Sequence, residues 1–428
     1  MTALSAENEY WDDVLRACGK VSVDRLWRMH EEMAAFGAIP GPGVNRPAFS
    51  PEDAAARKAM LAWLEPYGFE VYIDDIANLF IRRPGRNPGL PPMVTGSHMD
   101  SQPRGGRFDG IFGVLAGVEM LFALEEAGLE TEHPLEVVAW SNEEGSRFAP
   151  GAMGSMVYSG ACDFENLLSV EDGEGTLLRD ALAATLAATP HARQRPIGSP
   201  FAAYIEAHIE QGPLLEQHET TIGIVTGIQG TRWFAVHVQG ESAHAGTTPL
   251  AARRDAFQAA VTVVNELNSL SAAEPDDLRF TIGRFDVRPN TPNSVADRVS
   301  FSIDIRHPDA ALVERFGDAV VALCSGERQH CPVSIVEKFN RPPCAFAPRV
   351  IDVVETAAKR LGASHMRMAS GAFHDALFMN DICPTGMIFV PCERGVSHNP
   401  AENANPADLA AGARVLLAAL VSLAAPRR

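Results

Sequence analysis

Apolar residues recur every three to four positions over residues 7–36, with Trp11, Leu15, Leu26, Trp27 and Met33 on one stripe, and this spacing predicts a helix. A Gly/Pro loop follows, GAIPGPGVNRPAF. Ser50-Pro51-Glu52-Asp53 then marks a helix start, with Ser50 as cap, Pro51 at the first position and acids in the first turn. Beyond it the period changes. FEVYIDDIANLFIRR reads as a hairpin or strand pair, and PMVTGSHMD as a short β-rich run ending in polar residues. IFGVLAGVEMLFALEEAG reads as a helix and PLEVVAWSNEE as another buried strand. Strands and helices alternating in this way predict an α/β sheet covered on both faces.

From about 226 to 338 the pattern differs. TRWFAVHVQG alternates with period two, residues 253–270 read as a helix, and DLRFTIGRFDV and DRVSFSIDIRH as strands. DAALVERFGDAVVALCSG is a further helix and CPVSIVEKF a last strand. The order β-α-β-β-α-β is that of the ferredoxin-like split unit, and predicts one inserted domain of about 110 residues. The larger domain would comprise residues 1–225 and 339–428, where α/β character resumes. Residues 165–200 are Ala-rich and read as a helical excursion with a loop.

Composition narrows the function. Of 428 residues, 46% are hydrophobic and 21% charged, the balance of a globular enzyme. A formal charge of -18 argues against nucleic acid or an anionic membrane as partner. The seven cysteines are scattered and form no C-x-x-C pair, which predicts a reducing, cytoplasmic setting. The N-terminus lacks the basic-then-apolar order of a signal peptide. The Ala/Leu-rich C-terminal run carries Arg414 and reads as a packed helix.

Polar groups at the ends of apolar strands are the candidate chemistry, because ligands of α/β sheets bind there. His98 and Asp100 in GSHMD share a side if extended, so the carboxylate can take the second ring N–H of a metal-bound imidazole. Alone, the segment also reads as a surface turn. Asp109 in GGRFDG sits at the mouth of a helix and reads equally as a cap. Glu143 and Glu144 end the strand EVVAWS, where adjacent acids are costly unless used. His208 lies in EAHIEQGP and His398 in SHNPAE, and each alone reads as structural. Together His98, Asp109, Glu144, His208 and His398 form the ligand set of a two-metal hydrolytic site, with one carboxylate bridging ions roughly 3.5 to 4 Å apart. Mixed N/O donors suit zinc or manganese, with cobalt or nickel also possible. Glu143 is then the extra acid that takes a proton from the attacking water.

The runs GSHMDS, GGRFDGIFGVLAG, SNEEGSRF, EAHIEQGPLLE, GIVTGIQG, GESAHAGTTP, SGAFHDA and FVPCERGVSHNPAE span most of the chain in order. They resemble the dinuclear metal amidases of the hydantoinase/carbamoylase family, a branch of the aminoacylase and metallo-carboxypeptidase superfamily. The resemblance implies a mixed-sheet metallohydrolase domain with an inserted lid and dimerisation domain. It places His98 and His208 on one ion and Glu144 and His398 on the other, with Asp109 bridging, Glu143 as general base and Asp100 as partner of a ligand. His244, in GESAHAG, falls on the residue that polarises the scissile carbonyl, often from a partner subunit. Asn293 and Arg306 fall on positions that hold the substrate carboxylate, and His374 on a substrate-lining one; Gln211 joins this expected substrate set.

The implied reaction is hydrolysis of the carbamoyl C–N bond of an N-carbamoyl-L-amino acid by a homodimer that closes its lid on a small ureido acid. Allantoate is a rival substrate, and an acyl amide a more distant one. A dimeric homologue without activity is the remote reading, since such proteins lose a ligand or the base. Two departures stand out: Phe373 where the family commonly has Gly, and CERGVSHNP, which matches neither subgroup decisively. His30, His133, His191, His237, His307, His330 and His365 have no motif around them.

Overall fold

The computed structural model describes residues 3–425, with side chains from residue 10 onward. Met1 and Thr2 of the N-terminal stretch lie outside the described residues. The chain forms two compact units, one of residues up to Thr226 together with Phe346 onward, the other Gly227–Ala345.

In the first unit the strands are β1 (Glu70–Ile73), β2 (Leu79–Arg83), β3 (Met93–His98), β4 (Leu135–Trp140), β5 (Arg193–Gln194), β6 (Ala203–Ile209) and β7 (Ile222–Ile228). The second unit holds β8 (Gly230–Gln239), β9 (Arg279–Thr281), β10 (Phe285–Arg288), β11 (Arg298–His307), β12 (Gly326–Arg328), β13 (Cys331–Arg341) and β14 (Cys344–Ala345). β15 (His365–Ser370) and β16 (Thr385–Val390) complete the first.

The large sheet has the order β14-β7-β16-β6-β3-β4-β2-β1-β5 and is mixed. Four central strands, β16, β6, β3 and β4, run parallel, so their C-terminal ends share one edge. β1 and β2 form the expected hairpin. Across the sheet lies the Ile111–Ala127 helix, apolar on every face and buried from Ile111 to Leu124. Its outer side packs on the Val23–Ala34 and Pro406–Leu423 helices. The latter is long and apolar enough to cross a membrane, but it lies mostly inside the core. Each fully buried Leu, Val or Phe here contributes about 1.5–3 kcal/mol.

The helix approaches the sheet through glycines. A Cβ at Gly113 would stand 2.3 Å from the Ala207 carbonyl and 2.8 Å from Ser97 Cβ. The first predicted helix is two, Ala3–Cys18 and Val23–Ala34. The chain breaks at Gly19, and Ser22 caps the second by accepting the Arg25 N–H at 3.2 Å. Ser50 caps Pro51–Leu64 as expected.

The second unit is an antiparallel sheet, β10-β11-β8-β13-β12, with β9 also on β11. The Ala256–Ser271 and Ala310–Leu323 helices cover one face, burying Phe234, Val236, Val299, Phe301 and Phe316. Alternate residues of β8, such as Trp233 and His237, point the other way. DLRFTIGRFDV, read as one strand, is two, because Ser302 Oγ takes the Arg284 N–H at 3.0 Å and interrupts the ladder. The unit also runs on past residue 338. β13 reaches Arg341, and Cys344–Ala345 pair with Gly227–Ile228, which ties the two ends of the insert together.

Replacing Gly113 by Ala should destabilise the protein by about 1–3 kcal/mol, since neither the Ala207 backbone nor Ser97 can yield. Denaturant titration of the variant checks this, and an unchanged midpoint would refute the close packing.

Candidate metal centre

Convergence of distant sequence segments follows from the parallel core. His98 ends β3, the 141–145 loop leaves β4, His208 lies near the end of β6, and the loop bearing His398 leaves β16. Adjacent parallel strands deliver all four to one edge.

Asp109 stands at the middle. It is not a helix cap: that position is Gly110, at φ 67°. A Cβ at Gly110 would lie 2.2 Å from the His98 ring, so glycine alone fits, and the Asp109 side chain is free to face inward. Asp109 Oδ1 is 3.3 Å from His208 Nε2, and Oδ2 is 3.1 Å from His398 Nε2. His98, Asp109 and His208 place ligand atoms within 4.8 Å of one another, and so do Asp109, Glu144 and His398. The two groups share Asp109. Gln211 Nε2 and Ser397 Oγ donate to the same carboxylate at 3.0–3.1 Å.

The imidazoles are turned by backbone carbonyls. His98 Nδ1 donates to the Asp100 carbonyl at 2.9 Å, and His208 Nδ1 to the Ile209 carbonyl at 2.8 Å. His208 Nε2 also accepts the Gly110 N–H at 3.2 Å, which marks it as the unprotonated nitrogen. Here the structure departs from the expectation for Asp100. Its carboxylate is 3.7 Å from His98 Nδ1, and instead accepts the backbone N–H groups of Glu143 and Glu144 at 3.2 and 3.1 Å. Asp100 therefore fixes the loop carrying both acids.

Glu143 Oε2 lies 3.4 Å from His98 Nε2. Burial, then the neighbouring carboxylates with Asp375 foremost, holds its carboxyl well above the usual range. Burial and Asp109 push Glu144 up to about 8, and burial and Asp53 push Asp100 up to about 7. For Asp109 burial acts upward too, but the His398 hydrogen bond and the three imidazoles outweigh it and hold the group below its ordinary value. The hydrogen bond to Asp109 raises His398 to about 9, while desolvation lowers His98 to about 4. So many buried acids repel one another unless cations offset them. Imidazole nitrogens facing inward with a shared carboxylate fit divalent ions of the borderline class.

Asn142, Gln211 and His398 all take left-handed backbone, at φ 55°, 56° and 51°. Such strain in non-glycine residues gathers at functional sites. Several contributors carried no signal of their own in the sequence. Glu402 accepts the N–H groups of Phe108 and Asp109 at 2.9 and 3.0 Å. Gln102 holds Glu144 through its backbone N–H at 3.2 Å and Nε2 at 2.7 Å. His374 is 1% exposed, its ring 4.6 Å from that of His208. The Phe373 ring packs edge-on against Phe378 at 5.6 Å, so the bulk at this position is absorbed locally.

Within the second unit, His244 and Asn293 lie on adjoining segments, bridged at His244–Ser294. Arg306 does not join them. On β11 it pairs with Thr231, whereas Arg298 pairs with Gln239 at the end nearer His244. Eight residues of strand, roughly 26 Å at about 3.3 Å each, intervene.

Inward-facing imidazoles and acids at the C-terminal edge of a parallel sheet define a metallohydrolase of mixed α/β fold. The chain belongs to the family described as Peptidase family M20/M25/M40, whose model matches residues 94–422. It is 35% identical over 410 residues to the N-carbamoyl-L-amino-acid amidohydrolase of Rhizobium meliloti, covering 95% of this chain and 97% of that one. It is 32% identical over 414 residues to the ureidoglycolate hydrolase of Oryza sativa subsp. japonica, covering 94% and 85%. The crystal structure of a hydantoinase/carbamoylase family amidase from Burkholderia multivorans superposes with a TM-score of 0.86 at 42% identity, covering 96% and 99%.

The metal-free protein should lose stability as pH rises from about 6.5 to about 8. Over this window Glu144 and His398 keep protons in the folded chain that the unfolded chain has released, which favours folding less as pH rises. His98, lowered to about 4, acts oppositely but only below its ordinary 6.5. Thermal melts after chelation should therefore show a lower midpoint at pH 8 than at pH 6.5, and metal should restore more at the higher pH. A midpoint independent of pH over this window would contradict the assignment.

Proposed function

We propose that the protein hydrolyses the carbamoyl C–N bond of N-carbamoyl-L-amino acids, taking up water and releasing the free amino acid, carbon dioxide and ammonia. The observation that carries this reading is the pair of ligand groups sharing Asp109 with Glu143 alongside. His98 and His208 would hold one ion, Glu144 and His398 the other, and Asp109 both. Bound ions, zinc or manganese with cobalt or nickel as alternatives, supply Lewis acidity for water and for the carbamoyl oxygen. Glu143 takes the proton of the attacking water and returns it to the leaving nitrogen, a role that suits a carboxylate lying 3.4 Å from His98 Nε2 at the edge of the ligand groups. Asp100 orients Glu143 through the backbone N–H it accepts. Gln211 and His374 face the substrate beside the ions.

The second unit acts as a lid and dimerisation domain. Its βαββαβ element order and the strand order β10-β11-β8-β13 support a ferredoxin-like reading. Arg306 clamps the substrate carboxylate with its planar guanidinium. His244 and Asn293, at the far end of the same sheet, serve the site of the other copy in a homodimer, where His244 donates to the developing oxyanion. Ureidoglycolate is the second reading, favoured by the identity to the rice enzyme, and would use the same carboxylate clamp. The scatter of the cysteines, with no C-x-x-C pair, supports a cytoplasmic setting.

Ammonia release from a panel of N-carbamoyl-L-amino acids, ureidoglycolate and allantoate, with release of free amino acid from N-acetyl amino acids assayed alongside, all on metal-reconstituted protein, tests the reaction. The N-carbamoyl compounds should be turned over fastest, and release from none of the ureido acids would sink the proposal. Glu143→Gln should retain bound metal and lose roughly 10²–10⁴-fold in kcat. Mixing inactive Glu143→Gln and His244→Ala subunits should restore about a quarter of wild-type activity if sites are composite, because half the dimers then hold one intact site. No recovery on mixing would place His244 in its own chain's site.

A further inference from the structure

β3 and β6 are hydrogen-bonded from Met93–Ala203 to Thr95–Ile205, and there their ladder stops. β3 stays paired with β4 as far as His98. The strand ends that carry His98 and His208 are therefore not joined to each other by backbone. Side chains span the opening instead. Glu206, fully buried, accepts Ser97 Oγ–H at 2.7 Å and the Ala376 N–H at 2.8 Å. The Tyr204 hydroxyl, 3.2 Å from Glu206 Oε2 and 3.1 Å from the Gly96 carbonyl, adds a second crossing and accepts the Trp140 indole N–H at 3.0 Å.

Each partner of Glu206 adjoins an imidazole. Ser97 precedes His98 on β3. Glu206 lies two residues before His208, on the same face of β6. Ala376 opens the short helix that follows His374. We propose that Glu206 is a positioning residue of the metal centre, a buried strut that replaces the missing β3–β6 ladder and sets the spacing of His98, His208 and His374. This rests on the metal-centre reading above. An ion of its own is the competing role, since Glu206, His208 and His374 offer ligand atoms within 4.8 Å of one another. Both Glu206 oxygens, however, already accept donors, and His374 Nε2 lies 2.9 Å from Ser370 Oγ. Glu206 acts through the imidazoles rather than on a ligand.

The test is titration of metal-depleted full-length protein with Co²⁺, following the visible absorption band and the dissociation constant. Glu206→Gln keeps the size but removes the charge and leaves only one accepting end, so the Ser97 hydroxyl must turn from donor to acceptor. Co²⁺ affinity should fall roughly ten- to a hundred-fold, with a shifted band. Glu136→Gln is the control. It removes another fully buried carboxylate of this sheet, paired with Arg195 at 2.6 Å, and should lower the melting temperature while leaving affinity and band unchanged. If Glu206→Gln does not fold, Ser97→Ala removes one contact and should weaken Co²⁺ several-fold. Wild-type affinity and band in Glu206→Gln or Ser97→Ala would overturn the strut, as would an equal loss in Glu136→Gln. Absence of Co²⁺ binding by the unaltered protein would defeat the metal centre itself, and the strut with it.

Discussion

One carboxylate organises the catalytic unit. Asp109 must face His208 with one oxygen and His398 with the other, in a space where Glu143, Glu144, Asp100 and Glu402 also converge. Like charges buried together are unfavourable, and they stay together only because the surroundings hold them. The holding is done from the backbone. Gly110 clears the ring of His98, Glu402 grips the Phe108 and Asp109 amides, and Asp100 grips those of Glu143 and Glu144. Acids thus position acids through intervening peptide groups, which separates the charges while fixing the geometry. Burial and like charge raise the proton affinity of Asp100 and Glu402 as well, which a cation beside them would oppose.

Such an arrangement needs a rigid frame, and the frame is the parallel centre of the sheet under a helix that is apolar all round. The Ile111–Ala127 helix begins immediately after Asp109–Gly110, so the site is set by the start of a helix buried from Ile111 to Leu124. Displacing Asp109 by even a small distance would mean sliding that helix over β3 and β6, against glycine contacts with no slack. The strained residues Asn142, Gln211 and His398 sit on the loops around this fixed point, where core packing can offset their cost.

Much of this was legible in the sequence because a strand that ends in His or Glu advertises itself: PMVT runs into His98, EVVAWS into Glu143 and Glu144, MIFVP toward His398. Alternating strands and helices also imply the parallel centre, and parallel strands carry such ends to one edge. What was not legible depends on which backbone group lies beside a side chain. Whether the carboxylate or the carbonyl of Asp100 takes the His98 proton is decided by the turn after β3. Glu402 and Gln102 work on groups hundreds or tens of residues away. The break in DLRFTIGRFDV comes from Ser302 on the neighbouring strand, and no local pattern encodes it. The helix over 7–36 was over-extended because its apolar stripe continues across Gly19 while the Ser22 cap restarts the ladder.

Arg306 shows the limit most clearly, and its placement has a mechanical consequence. Motif order puts Asn293 and Arg306 close in sequence, yet Asn293 precedes β11 while Arg306 sits near its far end. β11 is paired with β8 along its whole length, and two helices back the sheet, so it cannot fold its ends together. The two ends of β11 therefore stay roughly 26 Å apart at about 3.3 Å per residue, a span longer than a small ureido acid, so Arg306 and the His244 segment cannot both touch one such molecule.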